Sequence, residues 1–218
     1  MEKVEAAIFD MDGLMVDTES LYYQAESEVA RRFGKTFSVE VMEKMMGHKA
    51  RRSIQIMMET LGIEGSAEEI EALRDTLYKN LLEGGVKPMS GLLDFLNWLE
   101  TCGYRKAVAT SSKVIFKDII FDQLDLHHRF EVVTTAEEVS QGKPSPEIYQ
   151  RALRRLGLRP RQCIVLEDSA AGLKAAKGAG CLCIIVPNQF TRYQDFSGAD
   201  FVAPDLSHKD IRRFFQEL

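Results

Sequence analysis

The feature that most restricts the possible folds is a long gap in the strand pattern. No strand candidate occurs between Asp17 and Lys106, whereas short apolar runs bounded by turn residues recur on both sides. These runs stand at Ala6 to Phe9, Lys106 to Ala109, Glu131 to Val133, Cys163 to Leu166 and Cys181 to Val186, with a weaker one near Phe201. Segments of helical period separate most of them, at Gly91 to Cys102, Pro146 to Leu156 and Ala170 to Gly178. Such alternation predicts an α/β fold, a Rossmann-like parallel sheet with helices on both faces. The gap itself reads as consecutive helices, Thr18 to Phe33, Ser38 to Met46, Lys49 to Leu61 and Ser66 to Glu83, each followed by glycine suited to a C-terminal stop. Ser66 with Glu69 has the form of a capping box. The expected organisation is an α/β core of residues 1–17 and 88–218, with an all-helical cap domain, 18–87, inserted after the first strand. Ser145-Pro146 is expected to open one core helix and Ser207 to cap the last.

A chain of 218 residues can bury such a core and carry an insertion. Its formal charge of −5 offers no general attraction to nucleic acid or to anionic lipid. The charged start and the lack of any run approaching ~18 apolar residues argue against a leader or a membrane span. The four cysteines lack Cys-x-x-Cys spacing, and Cys181 and Cys183 sit in an apolar run as reduced thiols do. The expectation is a soluble, cytoplasmic monomer without a zinc site, a nucleic-acid partner or a membrane partner.

The first strand runs directly into Asp10-Met11-Asp12-Gly13. In an open parallel sheet, ligands sit at the carboxyl ends of the strands, so these two carboxylates emerge where chemistry is done. A polar turn with acidic helix caps is the plainer alternative, and Asp17 suits capping alone. Thr110 ends the second strand, Lys143 stands in Gly142-Lys143-Pro144-Ser145-Pro146, and another strand ends in Val165-Leu166-Glu167-Asp168-Ser169-Ala170-Ala171-Gly172. By these motifs, in this order and at these strand ends, the chain resembles the haloacid dehalogenase-like hydrolase superfamily over essentially its whole length. The likeness is to its capped phosphatases and β-phosphoglucomutases, including phosphatases of sugar phosphates and of pseudouridine 5'-phosphate.

The resemblance implies a phosphomonoesterase for a small phosphate ester that works through an aspartyl-phosphate on Asp10. It implies that Asp12 protonates the leaving alkoxide and then activates water. It also implies a metal held by the Asp10 and Asp168 carboxylates and the Asp12 carbonyl, with Glu167 as a further or water-mediated partner. Physical chemistry points the same way. Like charges at ~4 Å repel by roughly 4 kcal/mol at an effective dielectric of about 20, so Asp10, Glu167, Asp168 and a phosphate dianion need a cation between them. Oxygen donors without a nearby histidine favour Mg2+ over zinc.

Lys143 supplies the remaining positive charge, unless it is an ordinary solvated lysine. Thr110, with the backbone N–H of Ser111, suits binding of the transferring phosphoryl group, and the family pattern singles out Thr110; capping a helix that begins near Lys113 is the lesser alternative for Ser111 and Ser112. In the cap, Tyr22 and the loop residues His48 and Lys49 are candidate substrate contacts. The mutases carry a histidine where Tyr22 stands and an arginine where Ala50 aligns, which favours the phosphatase over a β-phosphoglucomutase-like hexose phosphomutase. A non-enzymatic phospho-acceptor or metal-dependent binding module is the alternative of another class, and Asp12 has no task in it.

Overall fold

The computed structural model of the chain describes residues 3–46 and 50–217. In chain order the elements are β1 (Ala6–Phe9), α1 (Glu19–Arg32), α2 (Val39–Met45), α3 (Ala50–Leu61), α4 (Ala67–Glu83), α5 (Leu92–Thr101) and β2 (Arg105–Ala109). There follow α6 (Val114–Leu124), β3 (Val132–Thr134), α7 (Glu147–Leu156), β4 (Cys163–Glu167), α8 (Ala170–Gly178), β5 (Leu182–Ile185), β6 (Phe201–Val202) and α9 (Lys209–Gln216). They form two compact units: the chain up to Asp17 joined by the chain from Lys87 onward, and Thr18–Val86.

The first unit is built on a six-stranded sheet in the order β3-β2-β1-β4-β5-β6, every pairing parallel. All four residues of β1 are fully buried, which is why that strand reads as an unbroken apolar run rather than an alternating one. Ala6, Ile8, Ala107, Val165 and Cys183 pack with Ile148, Tyr149, Ala152 and Leu153 of α7 and with Leu173 and Ala176 of α8. Phe9 lies edge-on to Phe95 of α5 and to Phe130, and Phe95 meets Phe215 of α9. Helices thus cover the sheet on both faces, as the alternating pattern requires. Burying Phe9 alone contributes on the order of 2–3 kcal/mol. Among the described residues no helix is long and apolar enough to cross a membrane.

The second unit is wholly helical, with α1 packed on α4 and α2 and α3 beside them. Met42, Met45 and Met57 are buried in its core. Ser66 accepts from Glu69 N at 3.5 Å, the forward half of the expected capping box. A charged pair is buried here too. Arg74 Nη1 lies 3.6 Å from Glu26 Oε1, and burial pushes the Glu26 carboxyl up to about 7 against the pull of Arg74.

Two helix starts in the sheet unit differ from expectation: α7 takes Pro146 rather than Ser145 as its N-cap, without a side-chain cap bond, and α9 does not use Ser207. The N-cap of α9 is His208, because Ser207 turns back and bonds Asp205 Oδ1 through both its N–H and its hydroxyl. A local carboxylate outcompetes the helix for that serine. The same turn crowds Gly91, which precedes α5 at φ 80°, so that a Cβ there would stand 2.2 Å from Ser207 N. Gly91→Ala is therefore expected to cost at least about 2 kcal/mol, from the left-handed backbone together with the contact, and to lower Tm by roughly 4–8 °C in a thermal melt.

Candidate active site

Three adjacent strands, β2, β1 and β4, deliver the chemistry-bearing residues, because each ends in a polar residue where its apolar run stops. β1 is followed by Asp10, whose N–H donates to Leu166 O of β4 at 2.9 Å. β2 is followed by Thr110, and β4 ends in Glu167 and is followed by Asp168. Asp10, Thr110, Glu167 and Asp168 are all buried. The strand order reverses direction around β1 and β4, the position at which open α/β sheets form a crevice at their carboxyl ends.

Lys143 enters from the loop before α7. Its Nζ donates to Asp10 Oδ1 at 2.6 Å and to Glu167 Oε1 at 2.5 Å, and its side chain is only 8% exposed. Glu167 is surrounded by donors. Its Oε1 also accepts from the Tyr149 hydroxyl at 2.7 Å, and its Oε2 accepts from Asp168 N, Ser169 N and Ser169 Oγ. Burial alone would push the Glu167 carboxyl up, but Lys143, Tyr149 and Ser169 outweigh it and hold that group below the usual range. Burial would likewise lower Lys143, and the two carboxylates raise it instead, so the ammonium stays charged. Asp10 goes the other way. Burial pushes its carboxyl up to about 8, Lys143 opposes this, and the neighbouring Glu167 and Asp12 add to it.

Asp12 is held by two hydroxyls. Thr110 Oγ1 and Ser112 Oγ each donate to its Oδ2 at 2.8 Å. Ser112 is thus buried in the site, whereas Ser111 beside it is exposed. Neither caps α6: its N-cap residue is Lys113, without a side-chain cap bond, and Val114 N donates to Glu137 Oε1. Asp168 Oδ2 accepts from Asn188 Nδ2 at 2.7 Å, and the same amide reaches Gly13 O at 3.2 Å, tying the turn after β1 to the end of β4.

Carboxylate oxygens of Asp10, Glu167 and Asp168 lie within 4.8 Å of one another, close enough to share one cation. The donor set is all oxygen, which suits a hard divalent ion, and burial, with Glu167 and Asp12 adding to it, disfavours a charge on Asp10 that a cation would stabilise. Glu167 is the poorest of the three as a ligand, since five donors already occupy its two oxygens. Asp10 and Asp168 are the better pair.

Asp10, Asp12, Thr110, Lys143, Glu167 and Asp168 therefore meet in one place. Tyr22 belongs to the helical unit, where it stacks on Tyr78 with ring centroids 3.7 Å apart and the Arg74 guanidinium lies over its ring. His48 and Lys49 lie outside the described residues. Sequence does not single out Tyr149 or Asn188, and it offers Ser112 as a helix cap rather than as a partner of Asp12. Asn188 follows the apolar run of β5 and could have been suspected from that strand-end position alone.

Residues 7–186 match the family described as haloacid dehalogenase-like hydrolase. The phosphorylated carbohydrates phosphatase of Thermotoga maritima is 36% identical over 177 residues, covering 81% of this chain and 82% of that protein. The fructose-1-phosphate phosphatase YqaB of Escherichia coli is 30% identical over 181 residues, covering 82% and 94%. A solved structure of a mutant of CbbY from Rhodobacter sphaeroides, in complex with xylulose-(1,5)bisphosphate, superposes with a TM-score of 0.86 at 27% identity over 94% of this chain and 96% of that one.

The first turn of α8 lies directly on the Glu167 carboxylate. A Cβ on Gly172 would fall 1.8 Å from Glu167 Cδ and Oε1. Gly172→Ala is expected to dislodge Glu167 and to cost about 3 kcal/mol or more in chemical denaturation, since a buried ion pair loses its geometry. Tyr149→Phe, which deletes one donor and no volume of consequence, should cost only about 1–2 kcal/mol in the same assay.

Proposed function

The chain belongs to the haloacid dehalogenase-like hydrolase family as a phosphoric monoester hydrolase, and we propose that it cleaves small sugar- or nucleoside-sized phosphate esters through an aspartyl-phosphate on Asp10. The observation that carries this reading is the ion pair between Asp10 and a Lys143 that Glu167 anchors from behind, with Asp12 two residues away. An attacking carboxylate needs a cationic neighbour to approach a phosphate dianion, and the reaction needs a second acid for the leaving group. Relatives named for phosphorylated carbohydrates and fructose 1-phosphate support a sugar phosphate as the substrate class.

In this reading Asp10 attacks phosphorus in line with the leaving oxygen. Lys143 neutralises a phosphate oxygen beside Asp10 and keeps the carboxylate aimed. Asp12 gives a proton to the leaving oxygen and in the second half takes one from water. Thr110 and the Ser111 N–H border the transferring group. The family is metal-dependent, and a Mg2+ ion held by Asp10, the Asp12 carbonyl and Asp168 would supply charge neutralisation to the phosphoryl group. Asn188 keeps Asp168 in place for it, and Glu167 acts from behind through Lys143. The helical unit is read as the part that selects the ester, with Tyr22, His48 and Lys49 as candidate substrate contacts. Three buried free thiols, Cys163, Cys181 and Cys183, suit a cytoplasmic enzyme, which we take to act as a monomer on small esters without nucleic-acid or membrane partners.

Inorganic phosphate release should be measured from a panel of sugar and nucleoside monophosphates, with Mg2+ and with chelator. We expect turnover of at least one sugar phosphate, its abolition by chelator, and a loss on the order of 1,000-fold or more in Asp10→Asn. Turnover indifferent to chelator, or none from any ester, would overturn the proposal. β-Glucose 1-phosphate separates the mutase, since isomerisation yields glucose 6-phosphate and hydrolysis yields glucose.

Cation affinity should also depend on pH. A raised Asp10 carboxyl is protonated below about 8, and a cation that takes it as ligand must displace that proton. Calorimetric titration with Mg2+ should show affinity rising by up to about tenfold per pH unit below that value and levelling above it. A flat profile from pH ~6 to ~9 would remove Asp10 from the ligand set.

A further inference from the structure

The protein treats the two oxygens of the Asp12 carboxylate very unequally. Oδ2 accepts from Thr110 Oγ1 and Ser112 Oγ, both at 2.8 Å, while Ser112 N donates to Thr110 Oγ1 at 2.9 Å. These three bonds close a ring. Each hydroxyl has a single proton, so both protons point at Oδ2, and the backbone donor on Thr110 polarises its hydroxyl toward the carboxylate. Oδ1, by contrast, is buried and has no hydrogen-bond partner among the described residues. A buried carboxylate oxygen left without a donor is costly, and such defects persist in native proteins where function uses them.

We infer that Ser112 is a positioning residue: with Thr110 it pins Asp12 Oδ2, so that Oδ1 is the oxygen that exchanges the proton of the reaction. The inference rests on the phosphatase reading above. In the first half-reaction the proton on Oδ1 passes to the bridging oxygen of the ester, while the bond from that oxygen to phosphorus breaks and a carboxylate oxygen of Asp10 bonds to phosphorus. In the second, Oδ1 takes a proton from water as the water oxygen bonds to phosphorus and the Asp10–phosphorus bond breaks. Ser112 touches none of the reacting atoms. Without its hydroxyl only Thr110 restrains Oδ2, and the carboxylate is free to turn about its χ2 axis, where an sp³–sp² torsion has a broad minimum. The two-residue spacing matters as well. Thr110 and Ser112 are both buried, and Ser111 between them is exposed.

The test compares kcat/KM for an alkyl phosphate, such as a hexose phosphate the enzyme turns over, with that for p-nitrophenyl phosphate. In a reaction through a phospho-enzyme, kcat/KM reports only the steps up to its formation. An alkoxide must be protonated as it leaves, whereas p-nitrophenolate leaves unaided. Ser112→Ala is therefore expected to lower kcat/KM for the alkyl ester on the order of 10- to 100-fold and for the aryl ester by less than about 3-fold. The ratio of the two is taken within one preparation, so a partly unfolded sample cancels. Should the alanine variant not fold, Ser112→Cys keeps the volume with a weaker donor and should shift the ratio the same way. In an Asp12→Ala background, Ser112→Ala should change aryl turnover no further. Equal losses on both esters, or an additional loss in the double variant, would overturn the role of Ser112 while leaving the phosphatase standing. A wild-type protein that releases phosphate from neither ester would remove both.

Discussion

A lysine ammonium held out of water between two carboxylates is the interaction on which the rest of the site depends. Lys143 is nearly inaccessible, and so are Asp10 and Glu167. Removing charge from water costs several kcal/mol per ion, and the arrangement is tenable only if the remaining donors and acceptors are satisfied. Glu167 meets that condition with Tyr149, the backbone of Asp168 and Ser169, and the Ser169 hydroxyl. Its firm hold on one side of Lys143 leaves the other side of the ammonium for Asp10. Hence the carboxylate that is saturated stays low in pKa, and the one that is not is pushed up.

The sheet order explains how residues 133 and 24 positions apart in the chain come to share that ammonium. β1 lies between β2 and β4, so the ends of three adjacent strands stand side by side. Alternation along β4 and beyond divides adjacent residues between two tasks. Glu167 reaches the buried Lys143 and Tyr149, and Asp168 reaches Asn188 at the end of β5. Close packing of α8 against this corner requires that Gly172 carry no side chain. A helix start, a buried ion pair and a strand end thus share one small volume.

The helical unit obeys different constraints. Its core is rich in methionine, which fills irregular space between helices, and it buries the Glu26–Arg74 pair beneath the Tyr22–Tyr78 stack. Because it is a compact unit by itself, an insertion of this kind can follow β1 without interrupting the strand pairing on either side. The two linkers meet each other within the sheet unit, where Met89 N donates to Met15 O and Asp17 N to Lys87 O.

Much of the protein was determined by its sequence alone. Apolar runs of four or five residues separated by helical periods dictate a parallel sheet, and polar residues that end those runs must surface at its carboxyl edge. Asp10, Asp12, Thr110, Glu167 and Asp168 were therefore legible, and Lys143 was visible through its motif. Tertiary structure alone decided which groups these residues touch. Ser112 suited a helix cap until folding brought it to Asp12, 100 positions away, and nothing local marked Tyr149, whose hydroxyl meets Glu167. Asn188 is marked only by its place after β5, with nothing local to pair it with Asp168, and Ser207 was diverted from α9 by Asp205. The reason is physical: periodicity records which face of an element is apolar, whereas a hydrogen bond depends on ångström-scale distance and direction, which exist only once distant segments have packed.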